Sequence, residues 1–195
     1  MRLGTTDPDT SPASASVTDW RVGIVDRTDE VPDSPYAMFS ALCKASPTLH
    51  EIPWQGIYRD YDITIRGGIE VVSAIKTLQN KMICVGVGGV LLGEISPAPL
   101  TPRPVLKASH VVLCDRAYSS YASWLIAWGM SLQRRLDDLG VSCGVVAEKG
   151  GGLTISRHHL KTFTVTLSGL SDEDSIKAQT AGIGSKKKLG CGVFT

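Results

Sequence analysis

The order of strand-like and helix-like stretches constrains this chain most, because it runs through one cycle twice. WRVGIVDR (20–27) alternates apolar and polar residues as a strand covered on one face does. SPYAMFSALCKA (34–45) follows, with Ser34 as a candidate N-cap and Tyr36, Phe39, Leu42 and Cys43 on one helical face. GIYRDYDITIRG (56–67) predicts two short strands, IEVVSAIKTLQ (69–79) a second helix, and MICVGVGGVLLGEI (82–95) a hairpin turning near Gly88-Gly89. Beyond the stiff connector PRPV (102–105) the cycle restarts: LKASHVVLCD (106–115) reads as a strand and YASWLIAWGMSLQRRLDDLG (121–140) as a long helix closed by Gly140. SCGVVAE (142–148), GLTISR (152–157) and LKTFTVTLSGL (160–170) supply strands, SDEDSIKAQTAG (171–182) a helix with acids in its first turn, and GCGVF (190–194) a closing strand. The expected architecture is α+β: two βαββαβ units in tandem, over 19–101 and 102–195, each an antiparallel sheet with helices on one face.

Composition narrows the class. With 43% hydrophobic and 20% charged residues in 195, the chain can bury a core. Its longest apolar stretch, YASWLIAWGM, is shorter than a membrane span, so no membrane partner is expected. Residues 1–18, rich in Ser, Thr, Pro and Asp, read as a disordered arm rather than a secretory signal, which points to the cytoplasm. Five scattered cysteines without a CxxC pair fit neither a disulfide framework nor a zinc site; no metal and no cofactor are expected. The formal charge of +1 conceals an asymmetry: residues 1–100 hold eight Lys/Arg against twelve Asp/Glu, residues 101–195 twelve against seven. An anionic partner on the basic half, nucleic acid above all, suits that separation, although a solvated lysine face has the same composition.

AGIGSKKKLGCGVF (181–194) packs four glycines and three lysines between the last helix and the closing strand. Gly182, Gly184 and Gly190 permit positive φ and close backbone approach, successive N–H groups can form an anion nest, and Lys186, Lys187 and Lys188 add point charges beside it. The stretch lacks the GKS/GKT ending of a nucleotide P-loop and follows a helix instead of preceding one, which also excludes a dinucleotide-binding turn. A flexible basic connection that binds nothing has the same composition.

GIGSKKKLGCGVF resembles the C-terminal glycine-rich loop of the CRISPR RNA-processing endoribonucleases, the family of CRISPR-associated protein six in the RAMP superfamily. SPYAMFSALCKASPTLHE (34–51) and LSGLSDEDSIKAQTAGIG (167–184) are similar to the matching segments of its short type I forms, whereas roughly 68–150 matches only in pattern. The resemblance implies a tandem ferredoxin-like (RRM-like) fold. It also implies metal-independent cleavage of repeat RNA on the 3′ side of a stem-loop, with the enzyme often remaining on the mature guide RNA and other effector subunits as further partners. The 2′-hydroxyl attacks its adjacent phosphate, leaving a 2′,3′-cyclic phosphate and a 5′-hydroxyl. Such a reaction needs a base, an acid and positive charge around the phosphorane.

Four histidines suit proton transfer near neutral pH: His50, His110, His158 and His159. The resemblance implies His50 as general base or acid, because relatives keep a catalytic histidine just beyond the first helix, and Tyr36 as its partner. Read alone, His50 is a loop histidine or a helix cap and Tyr36 a core aromatic. Relatives also place a lysine shortly after the histidine; HEIPWQGIYR has none, which leaves the charge stabiliser to Arg59, Lys44 or the basic loop. His110 alternates within an apolar strand, as a core or sheet-face residue does. Arg134 and Arg135 on the long helix, with Lys149, Arg157, His158, His159 and Lys161, are placed in sequence to border an RNA stem, although Arg134 and Arg135 also suit a helix C-terminus. With only 6% aromatic residues there is no single-strand stacking platform, and Trp54, Trp124 and Trp128 are expected in the core. Three function classes remain: the repeat-processing nuclease, a catalytically silent guide-RNA-binding subunit of a CRISPR effector or RNA-guided transposon, and an unrelated phosphate-binding enzyme.

Overall fold

The computed structural model describes residues 17–32, 34–59, 62–113, 120–155 and 158–195. Arg157 and nearly all of the expected arm lie outside them. In the first unit β1 (Thr18–Arg27) leads to α1 (Pro35–Ala45), the single turn α2 (Thr48–Glu51), β2 (Gln55–Arg59), β3 (Asp62–Gly67), α3 (Ile69–Lys76), β4 (Met82–Val85) and β5 (Gly88–Ala98). The strands form one antiparallel sheet in the order β2-β3-β1-β5-β4. Val22, Ile63, Ile65, Leu92 and Ile95 share its helix-covered face with Leu42, Val72 and Ile75. Ser34 starts α1 as expected: its Oγ accepts from Ala37 N at 3.3 Å and Pro35 occupies the first turn, where a missing N–H costs nothing.

Two expectations shift here. The buried side of α1 is Met38, Ala41, Leu42 and Cys43, because the helix lays those residues on the sheet and turns Tyr36 and Phe39 toward a cleft; Tyr36 is 40% exposed. The hairpin turns at Gly86-Val87, since Val85 pairs with Gly88, and a Cβ at Gly88 would meet Thr28 and Val31. That glycine serves packing rather than the turn.

The second unit runs β6 (Val105–Val111), α4 (Tyr121–Leu139), β7 (Gly144–Lys149), the small hairpin β8 (Leu153–Ile155) and β9 (His158–Leu160), β10 (Phe163–Ser168) and α5 (Asp172–Ala181), followed by a 3-10 turn at Lys187–Leu189. Its sheet is ordered β6-β10-β7, antiparallel throughout. The closing strand shrinks to one bridge, Phe194 to Ala108 on β6, flanked by paired hydrogen bonds between Lys107 and Thr195. Positive φ at Gly190 and Gly192 keeps the chain from extending sooner. Counting that bridge, both sheets place first, third and second pairing strands side by side with the last on the outer side of the first, the ferredoxin-like arrangement, and β4 extends the first sheet. Trp124, Trp128, Leu132 and Leu136 form the buried stripe of α4, and Phe163 stands 4.2 Å from Trp128 between ring centroids. The three tryptophans expected in the core are there, at 2–6% exposure. Gly140 closes α4 in the left-handed region.

Polar groups lock the units together. Arg66 of β3, 2% exposed, pairs with Asp19 at 2.6 Å and donates through Nη1 to the carbonyls of Gln179 and Phe194. Gln55 Nε2 donates to Thr180 O, and Gln179 Nε2 to Thr101 O. Among the described residues no helix is long and apolar enough to cross a membrane.

Candidate functional site

The end of α5 organises the site. A helix leaves its last carbonyls without intrahelical partners, and here, beyond the closing bond from the C-cap residue, each finds a side-chain donor from a different source. Ala178 O accepts from Gly182 N, Gln179 O from Arg66, Thr180 O from Gln55, and Ala181 O from Lys187 Nζ at 2.6 Å. Lys187 therefore caps the negative end of α5, a favourable place for a cation. Burial there pushes its pKa down from the ordinary lysine value, and nearby Arg135 adds to that effect.

The neighbouring lysines point elsewhere because a 3-10 turn separates successive side chains by about 120°. Lys186, with φ 64° in the left-handed region, is exposed. Lys188 reaches across to the first unit, where its Nζ donates to His50 O at 2.7 Å and Leu49 O at 3.1 Å and lies 5.8 Å from the Trp54 ring centroid. Its own carbonyl accepts from Tyr58 Oη at 2.8 Å. Burial holds the Tyr58 hydroxyl well above its usual pKa, with Cys43 adding to it, so Tyr58 stays a donor. Burial lowers Lys188, with Cys43 opposing. The loop is thus not the exposed lysine-bearing connection that composition suggests: Lys187 and Lys188 are half-buried.

Its glycines serve the same packing. The N–H groups of Gly182, Ile183, Ser185, Gly190 and Gly192 are bonded within the fold, to Ala178, Gly192, Val112, Lys187 and Ser109 carbonyls. A Cβ on Gly184 would collide with the Val112 carbonyl. The expected anion nest loses those donors, and what the loop presents outward is charge on side chains.

Between the units lies a cleft of about 650 Å³. One wall carries Tyr36 and Phe39 of α1 with Trp54, the other Lys186, Lys187, Lys188 and Leu189, and Ile155 of β8 and Glu70 of α3 also border it. Phe39 links the aromatic wall, 6.5 Å from Tyr36 and 6.0 Å from Trp54 between centroids. His50 is exposed on α2, joined to this wall through Lys188. Among the described residues no three His, Cys, Asp or Glu side chains gather as metal ligands.

The other expected RNA contacts spread over the second unit. Arg134 and Arg135 are exposed on α4, and Arg135 lies close enough to Lys187 to perturb it. Lys149 is exposed at the end of β7. On the β8–β9 hairpin, His158 pairs with Ile155, and exposed His159 sits 3.1 Å from Thr154 Oγ1. Lys161 stacks over the Tyr121 and Trp124 rings at 5.6 and 5.4 Å. His110 is half-buried with φ 52° at an irregularity of β6, its Nδ1 3.4 Å from Thr162 Oγ1. Sequence reading missed Gln55, which holds the end of α5 from 125 residues away, and Tyr58, which holds the lysine turn from 130; nothing local in the sequence signals such pairings.

A family model described as Cas6 Crispr matches residues 30–195. A CRISPR-associated endonuclease Cas6 from Myxococcus xanthus (strain DK1622) is 27% identical over 176 residues, covering 83% of this chain and 74% of that relative. Among solved structures, the product of a Cas6-related gene from Pyrococcus furiosus aligns with a TM-score of 0.59 at 14% identity, over 92% of this chain and 98% of its own. A Thermus thermophilus Cse3 bound to an RNA representing a pre-cleavage complex aligns at 0.51 with 16% identity, over 91% and 98%. These two likenesses speak for the fold. The family match takes in most of the first unit, all of the second and nearly all of the cleft's lining, and the chain belongs to the Cas6 family of CRISPR proteins.

Proposed function

We propose that the protein processes CRISPR RNA: it binds the stem-loop of the repeat, cuts on its 3′ side and stays on the mature guide RNA. The observation that carries this reading is that Tyr36 and Lys186 line one interdomain cleft, and that Lys188 of the same lining bonds the neighbouring turn that bears His50. In the proposed step, which needs no metal, the 2′-hydroxyl adds to the adjacent phosphorus and gives its proton to the base. The bond from phosphorus to the 5′-oxygen breaks, and that oxygen takes a proton from the acid, leaving a 2′,3′-cyclic phosphate and a 5′-hydroxyl. His50 serves as base or acid and Tyr36 as its partner. Exposed Lys186 meets the phosphate. Arg134, Arg135, Lys149, Arg157, His158, His159 and Lys161 hold the stem through its backbone. The Myxococcus relative, an endonuclease by name, and the Thermus structure, an RNA complex by title, support the substrate class.

The test is single-turnover cleavage of the cognate repeat RNA in EDTA. Wild type yields cyclic-phosphate product; His50→Ala keeps binding and loses about a hundredfold or more in rate. Lys186→Ala weakens binding and flattens its dependence on salt by about one released counterion. Retained but intact RNA with wild type marks a binding subunit instead. A His50→Ala variant that cuts at the wild-type rate removes His50 from the chemistry.

A further inference from the structure

The His50 turn has little to hold it by itself. α2 is four residues long, and an isolated turn costs more chain entropy than its hydrogen bonds return. Pro47 at its N-cap offers no side-chain cap. On the N-terminal side its described hydrogen bonds are backbone ones, Leu49 N to Ser46 O and His50 N to Pro47 O, and the fully buried Leu49 side chain packs into the first unit's core, which anchors the middle of the turn but not its exposed His50. On the C-terminal side Thr48 O accepts from Ile52 N, and Leu49 O from Trp54 Nε1 at 2.6 Å. His50 O has one described donor, the ammonium of Lys188, 138 residues later in the chain.

That ammonium is itself fixed at several points. It sits over the Trp54 ring, its two carbonyl acceptors are neighbours on one turn, and Tyr58 anchors the backbone of the same residue. Crowding leaves the anchor little play: a Cβ on Gly56 would stand 2.6 Å from Lys188 O. Two of the three N–H directions of Lys188 are committed to backbone carbonyls, which leaves one for any phosphate, whereas Lys186 next door is exposed. Most of the donor capacity of Lys188 goes to the turn that carries the histidine.

We propose that Lys188 is a positioning residue for His50: the C-terminal glycine-rich loop holds the catalytic turn of the first unit in place through the Lys188 ammonium on the Leu49 and His50 carbonyls. The inference rests on the reading of His50 as the proton-transfer group. It gives the lysine turn a second task beside meeting RNA, and it makes alignment of the first unit's histidine depend on docking of the second unit's loop.

The test compares Lys188→Met, which keeps the apolar stem and loses the donors, with Lys188→Arg, which keeps charge and donors, using the full chain and the cognate repeat RNA. Lys188→Met is expected to slow single-turnover cleavage by about 10- to 100-fold, the scale of a small misplacement of a catalytic group, with affinity within about threefold of wild type. Lys188→Arg restores much of the rate. Hydrogen exchange at the amides of His50 and Ile52 rises in Lys188→Met while exchange in β1 and β3 stays as in wild type, a readout that needs no cleavage. Combined with His50→Ala, Lys188→Met adds less than about twofold, because its effect passes through the histidine. Multiplying losses in that double variant, or weaker binding at an unchanged rate, would make Lys188 an RNA ligand and overturn the proposal. Unchanged rate and exchange would do the same. If His50→Ala alone cleaves like wild type, the assignment of the histidine is what fails, whatever the exchange data show for the turn.

Discussion

Replacing Gly192 by alanine tests whether the glycine-rich loop is a packed device or a loose connection. Gly192 sits at φ 64°, and its Cβ would overlap the carbonyl oxygen of Ile183. The same residue pair is joined by Ile183 N to Gly192 O at 2.7 Å, and Gly192 N reaches Ser109 O at 2.9 Å. The left-handed conformation costs an alanine about 1–2 kcal/mol. Moving the carbonyl away strains or breaks two buried hydrogen bonds, about 0.5–1.5 kcal/mol each. The smaller entropy of the unfolded alanine chain returns about 0.4–1 kcal/mol, so the net loss is about 2–4 kcal/mol. Gly140→Ala is the control, since Gly140 has nearly the same φ, 62°, but nothing within 4 Å of its Cβ, which leaves a cost of about 1 kcal/mol. Urea unfolding followed by tryptophan fluorescence reads both variants, and at about 2 kcal/mol per molar urea the midpoints should fall by about 1–2 M and about 0.5 M. Equal shifts would refute the packed loop, because conformational strain would then be the whole effect and the collision with Ile183 would not exist.

Arg66→Met should destabilise by about 3–5 kcal/mol, since it leaves Asp19 and the Gln179 and Phe194 carbonyls without their donor; denaturant unfolding measures it, and a loss under about 1 kcal/mol would mean the units do not depend on this pair. Burial pushes the Cys191 thiol up to about 11, with Lys186 opposing, so at pH 8 about one molecule in a thousand carries the thiolate. Iodoacetamide at that pH should therefore label exposed Cys84 well before Cys191, by mass spectrometry of the native protein; comparable labelling rates would contradict the burial. The same shift carries a sign for stability: between about pH 9 and 11 the native state holds the Cys191 proton more tightly than the unfolded chain, so stability falls as pH rises through that window. The fall should be shallower in Cys191→Ala.

The local elements were legible in the sequence because their causes are local. Ser34-Pro35 starts α1 and Gly140 ends α4 whatever lies around them, since capping and left-handed backbone are settled within a few residues. The twice-repeated strand and helix order followed from periodicity, which reports that one face is buried without saying against what. Where that partner mattered, the reading slipped: α1 turned Tyr36 and Phe39 toward the cleft, and the strand expected at 190–194 became a single bridge beside two positive-φ glycines. Lys186, Lys187 and Lys188 are indistinguishable as letters, yet one is exposed, one caps α5 and one grips the turn of His50. Only the tertiary structure decided this. A buried carbonyl takes its hydrogen bond from whichever donor the fold brings within reach, and for the ends of α5 and α2 those donors, Arg66, Gln55 and Lys188, come from more than a hundred residues away.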